Sequence, residues 1–340
     1  MVAEQSLLLE AGGLPKASLS PRTPRYSHSR WVIGVSCVVV VAIIWTFASV
    51  LVQYVFHDLG FNKPFFLTYV ANSLFAVNLP LYYGGKYFGY VVPSSRQASA
   101  RDTLAISAIV APLWFLANFT YNISLNMTSV TSSTIISSTS AMFTFGLSIA
   151  YLGERFSYAK LGGVGLCMLG NSATVFNDSG STTRDNVWGD LLAVFAAFMY
   201  GVYTTAIRRL IPDEGKVSLG LFFGLLGLLN FIGLLPLVLL LHWTQLENLS
   251  ALNGEILGLL TIKGLFDNVL SDYLWALAML FTTPTVATIG LSLTVPFAIV
   301  SDFIFHSVSP TLVTVFASVF VIAGFVLINV TSEKSEAEKA

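Results

Sequence analysis

Apolar stretches long enough to cross about 30 Å of hydrocarbon recur along this chain at 31–55, 64–84, 103–125, 130–151, 159–176, 188–208, 218–241, 259–280, 286–305 and 311–330. The pattern predicts an all-α integral membrane protein of ten transmembrane helices. Only 10% of the residues are charged, against about a quarter in soluble domains. The formal net charge of -1, with basic residues spread over short loops, leaves no electrostatic footprint for nucleic acid. Two cysteines, both inside apolar runs, and four scattered histidines build neither a disulfide framework nor a metal site, and no cofactor is expected.

Lys and Arg decide the orientation. With the N-terminus inside, the inner loops and tails carry 14 of the 17 basic residues, and the outer loops carry Lys63, Arg184 and Lys263. Both termini are therefore expected in the cytoplasm. The sequons at Asn177 and Asn248 fall in loops expected outside, as glycosylation requires. Residues 1–30 read as a disordered cytoplasmic tail without a cleavable signal. Within that tail, Glu4-Gln5-Ser6-Leu7-Leu8-Leu9 resembles an acidic dileucine sorting signal.

The chain divides into halves of similar length, 31–176 and 187–330, joined by the Gly/Ser/Thr/Asp-containing linker 177–186 and followed by a tail at 331–340. Each half holds five predicted helices. An odd number per repeat inverts the second half, and inverted repeats place a binding site at their interface near the midplane.

The run Thr128 to Thr144 has 11 Ser or Thr among 17 residues and no charge. Hydroxyls survive in hydrocarbon by bonding the carbonyl four residues back. Steps of three and four put Ser133, Ser137, Ser140 and Thr144 on one face, as the lining of a cavity requires. Interhelical hydrogen bonding is the plainer alternative for any single hydroxyl. A weaker echo lies at Thr282 to Thr294.

The third stretch carries Asn118, Asn122 and Asn126 at four-residue spacing, with cavity lining weighed against interhelical bonding. The eighth holds Asp267 in its outer third and Asp272 near its middle. An acid at a helix centre costs about 2.5–3.5 kcal/mol on insertion scales, so Asp272 is expected to face the protein interior and is the leading functional candidate. Asp267 lies four residues after Lys263, which suggests a local ion pair. At 100° per residue the two acids stand about 140° apart around a regular helix. No Lys or Arg is expected deep in a span, so a cationic, zwitterionic or neutral solute suits the bundle better than an anion. Asn268, Tyr203 and Tyr273 join the expected solute site, and Tyr200 and Trp275 offer further flat faces for a ring or a cation. Glycine seams at Gly220/Gly224 and at Gly162–Gly170 serve either close packing within the chain or a homodimer.

The segment from Trp114 to Phe145, followed by GERFSYAKL at Gly153 to Leu161, resembles the drug/metabolite transporter superfamily with EamA-type repeats. More narrowly it resembles subfamily F of solute carrier family 35, of the member-five type. NVLSDYLWALAM at Asn268 to Met279 and PTVATIGLSLTVPFAIVSD at Pro284 to Asp302 carry the same resemblance. It implies a ten-helix inverted-repeat carrier in Golgi or vacuolar membranes. The expected function is secondary transport, by alternating access across an endomembrane, of a small organic solute, thiamine-like among the candidates, with a proton as candidate coupling ion. A nucleotide-sugar antiporter and a non-transporting membrane scaffold or receptor are the rivals. No GxSxG or HExxH motif occurs, and no enzymatic activity is expected.

Overall fold

The computed structural model describes residues 27–53, 55, 59–90, 97–127, 136–178, 187–212, 216–297, 299–300 and 311–338. Ser133 and the first half of the Ser/Thr run, the dileucine-like tail and most of the 177–186 linker lie outside the described residues. The described residues form helices and no strands. In chain order these are α1 (His28–Gln53), α2 (Pro64–Tyr87), α3 (Ala100–Met127), α4 (Ser140–Leu152), α5 (Tyr158–Asp178), α6 (Val187–Leu210), α7 (Leu219–Trp243), α8 (254–281), α9 (Pro284–Phe297) and α10 (Leu312–Ala337). Six of them, α1, α2, α3, α6, α7 and α10, are long and apolar enough to cross a membrane; α9 and the stretch Ile136–Leu152 are shorter apolar helices. The last helix continues through 331–337, where the sequence suggested a tail.

Local chemistry sets several ends. Pro64 opens α2 at a position where its missing N–H is no loss. The exposed N–H groups of Phe65 and Phe66 donate to the two oxygens of Glu247, at 2.8 and 2.9 Å, so the loop after α7 caps α2. Thr283 caps α9 by accepting from the Val286 N–H at 3.2 Å, with Pro284 in the first turn. Gly153 ends α4 with φ +67°, a left-handed conformation that glycine adopts without a Cβ clash.

Helices from the two halves pack in exchange-related pairs: α3 on α6 as α8 on α1, α4 on α6 as α9 on α1, and α3 on α7 as α8 on α2. The self-related pairs α2 on α7, α4 on α9 and α5 on α10 are all present. A two-repeat topology fits this pattern. The close pairs are made by glycine. A Cβ on Gly227 would stand 2.2 Å from the Ala76 nitrogen of α2, and one on Gly170 would stand 2.6 Å from the Ala317 carbonyl oxygen of α10. Gly224 likewise abuts Leu79, and Gly163 faces Gly324 and Ile328. Both glycine seams singled out in the sequence are thus used within the chain.

Candidate functional site

The eighth helix is irregular where its polar residues lie. Between the α-helical pieces Gly254–Lys263 and Ser271–Phe281 runs a π-helical stretch, Gly264–Leu270. The Ser271 N–H reaches back five residues to the Phe266 carbonyl. Such bulges are uncommon and recur at functional sites. In π register, residues five apart stand nearly one above the other, so Asp267 and Asp272 are closer in angle than regular spacing implies. Lys263, Asp267 and Asp272 lie within electrostatic reach of one another.

Lys263 pairs with Asp267 at 2.6 Å and donates to the Asn268 side-chain oxygen at 3.3 Å. The pair expected from the sequence is present, but its lysine is largely buried and not at a solvated edge. A cation therefore does sit in the bundle, already matched by a carboxylate. Ser271 donates to the Asp267 carbonyl and accepts from Trp45 Nε1 of α1 at 2.7 Å, which locks the irregular stretch against the first helix.

Asp272 follows in the first turn of the next α-helical piece and is 6% exposed. Around it stands a cluster of four rings from three helices: Trp114 of α3, Tyr200 and Tyr203 of α6, and Trp275 of α8. Ring centroids are 4.5 Å apart for Trp114–Tyr203, 5.0 Å for Tyr200–Tyr203, 5.8 Å for Trp114–Trp275 and 5.9 Å for Tyr200–Trp275. Both tyrosines lie within electrostatic reach of Asp272. The buried Nε1 of Trp114 has no hydrogen-bond partner among the described residues. The Tyr200 hydroxyl lies near polar groups of Tyr203, Thr288 and Trp275, although no pair meets full hydrogen-bond geometry. Donors left without acceptors inside a bundle are costly unless something else supplies the acceptor.

The remaining expected residues divide. Tyr203 is in the ring cluster; Asn268 is buried beside Lys263, and Tyr273 is half-buried against the same core. Asn118 donates to the Trp114 carbonyl of its own helix at 2.9 Å, keeping it next to the cluster. Asn122 donates to Thr68 Oγ1 of α2 at 2.8 Å, an interhelical bond of the kind weighed for it. Ser137 lies near the Tyr121 hydroxyl, and Ser140 is half-buried at the start of α4. Trp114 was not singled out from the sequence as a site residue. Its position four residues before Asn118, on one helical face, was the available signal.

A second polar group went unrecognised. In GERFSYAKL, Glu154 and Lys160 form an ion pair at 2.9 Å, with the lysine side chain 1% exposed. By the charge count Lys160 belongs to the inner set of basic residues, at the start of the fifth predicted stretch; its enclosure and pairing have no signal there. Thr285 of α9 donates to the other Glu154 oxygen at 2.8 Å, so the connection between α4 and α5 is joined to the start of α9. Nearby, Arg208 of α6 donates to the Leu280 carbonyl at the end of α8, at 3.0 Å. The Thr285–Glu154 contact binds the two halves, while Arg208–Leu280 ties two helices of the second half together; His28 of α1 meets Glu333 of α10 in a further contact between the halves.

Relatives share this architecture. A vacuolar membrane protein of Saccharomyces cerevisiae is 28% identical over 92% of this chain and 94% of its own. Solute carrier family 35 member F5 of Bos taurus is 35% identical over 60% of this chain and 40% of its own. A crystal structure superposes with a TM-score of 0.64 over 90% of this chain and 98% of its own, at 16% identity, and so shares the fold. The EamA-like transporter family matches residues 32–176 and again 187–330. The chain, a multi-pass membrane protein with solute-carrier relatives, belongs to the EamA-like transporter family.

Proposed function

We infer that this protein is a secondary carrier moving a small cationic, zwitterionic or neutral organic solute, thiamine-like among the candidates, across an endomembrane by alternating access. Its ten helices act as two inverted repeats, 31–176 and 187–330, with both termini cytoplasmic and the membrane vacuolar/lysosomal or Golgi. The observation that carries this reading is the buried Asp272 beside the rings of Trp114, Tyr200, Tyr203 and Trp275. A carboxylate withdrawn from water favours a cation or a proton. Ring faces add attraction for a cation or a flat group, and Trp114 Nε1 offers a donor that has no partner among the described residues. Asn118, Asn122, Asn268, Tyr273, Ser137 and Ser140 are assigned with Asp272 to the solute site; Ser133, assigned to it from the sequence, lies outside the described residues.

Lys263 gives no opening for a phosphate-bearing solute, because Asp267 already neutralises it. Uptake by the purified carrier in liposomes, measured against lumenal pH, tests the assignment. Asp272→Asn is expected to abolish the pH dependence of flux. Unchanged pH-dependent flux in that variant would remove Asp272 from the coupling role.

A further inference from the structure

The outward face of α10 carries an open, shallow apolar groove between side chains of that helix alone, from Val319 at one end to Val330 at the other. Eleven steps of about 1.5 Å from Val319 to Val330 make it about 16 Å long, roughly half the hydrocarbon thickness of a bilayer. At its Val330 end the groove runs into a second cavity of about 440 Å³, and Leu327 and Val330 line both. The wall of the second cavity mixes the apolar side chains of Phe156, Leu327 and Val330 with charged and hydroxyl groups. Arg155, Lys334, Ser157, Thr331 and Ser335 contribute to its wall.

The charge of this pocket has a definite sign. Lys160 also lines it but is matched by Glu154. Arg155 touches Glu338 at 3.1 Å with both side chains more than half exposed, a contact of the kind worth at most about 1 kcal/mol. Lys334 adds a further exposed cation, so the cavity has one positive charge in excess of its acids. Ser335 Oγ is buried and has no hydrogen-bond partner among the described residues. The 21-residue helix α5 begins at Tyr158, directly after the lining residue Ser157. The Ala159 N–H of its first turn donates to Ser157 Oγ at 3.2 Å, and the positive end of a helix favours a phosphate oxygen nearby.

We propose that this composite groove is a specific site for an anionic phospholipid of the cytoplasmic leaflet. One acyl chain lies along α10 from Val330 to Val319, and the phosphate sits between Arg155 and Lys334 with Ser335 as donor. The proposal rests on the orientation given above, which puts the end of α10 at the cytoplasmic headgroups, and it is independent of the role of Asp272. An all-apolar groove one leaflet long, ending in a basic and hydroxyl-lined pocket, matches the two parts of a lipid in the right order. The Glu154–Lys160 pair borders the pocket, so a bound lipid would brace the end of the bundle at which the two halves are joined.

The test uses the full chain in detergent, with phosphatidylinositol or phosphatidylcholine added and bound lipid counted by native mass spectrometry. The expected result is at least about ten-fold preferential retention of the anionic lipid, accompanied by a raised melting temperature. Arg155→Gln combined with Lys334→Gln is expected to erase the preference while the lipid-free melting temperature stays as in the wild type. If that variant melts early, Ser335→Ala alone is measured, and it is expected to reduce retention. Equal retention of the two lipids would overturn the proposal, as would a preference that survives the substitutions. Stabilisation by inorganic phosphate equal to that by lipid would assign the pocket to a soluble anion and overturn it. A disulfide-linked dimer through Ala323→Cys that phosphatidylinositol does not suppress would assign the groove to a second copy of the chain. Transport assays on Asp272→Asn report separately, so failure of one reading leaves the other standing.

Discussion

Replacing Lys160 by Met removes an ammonium that is almost wholly enclosed and leaves Glu154, also nearly inaccessible, with a single donor. In the native protein one Glu154 oxygen accepts from Lys160 at 2.9 Å and the other from Thr285 at 2.8 Å. Breaking a buried pair from one side strands a charge, which costs about 3–5 kcal/mol. Glu154→Gln strands the lysine instead and should cost a similar amount. The double variant leaves no unpaired charge, and its glutamine oxygen can still accept from Thr285. It should therefore be less destabilised than the sum of the two singles, with a coupling energy of up to about 3 kcal/mol. Thr285→Val, which removes one hydrogen bond to a charged group, should cost about 1.5–3 kcal/mol. Reversible unfolding in mixed micelles, followed by tryptophan fluorescence, gives the four corners of the cycle. A Lys160→Met protein within about 0.5 kcal/mol of wild type, or a strictly additive double variant, would mean that the pair does not hold the helices as argued.

Gly227→Ala should destabilise by about 1–3 kcal/mol through overpacking, because the new methyl meets backbone atoms of Phe75 and Ala76 that cannot move aside. Gly258→Ala, where a Cβ meets open space, is the control, and equal stability of the two variants in the same unfolding assay would refute the close approach. Trp114→Phe should destabilise by about 1–2 kcal/mol, because the smaller ring leaves a void among its packed neighbours, while removing an Nε1 without a partner among the described residues. It should raise the apparent KM for uptake, and an unaltered KM would show that this donor is not offered to the solute.

Several elements could be read from the residues alone. The helical membrane class follows from local hydropathy, since a run of some twenty apolar residues has one workable conformation in hydrocarbon. The candidacy of Asp272 came from the same source, because an acid among apolar neighbours is visible without knowing what it touches. The Lys263–Asp267 pair is an i, i+4 contact within one helix, and its spacing announced it. Misreadings arose where the helix departs from 3.6 residues per turn. The π stretch Gly264–Leu270 leaves no mark in periodicity, so the angle between the two acids was overestimated.

What the sequence by itself determined is whatever depends on one residue and its near neighbours: the helical membrane class, the embedded acid, the hydroxyl-rich run and the family resemblance carried by short motifs. Tertiary structure alone decided which polar groups meet. Glu154 and Thr285 are 131 positions apart, and Trp114 and Trp275 come from helices in different halves. Lys160 reads as one of the inner set of basic residues until the start of α9 and the end of α10 close over it. Burial and pairing are properties of packed surfaces, and a chain carries them only jointly, through the fit of helices whose contact depends on glycines such as Gly227 and Gly170.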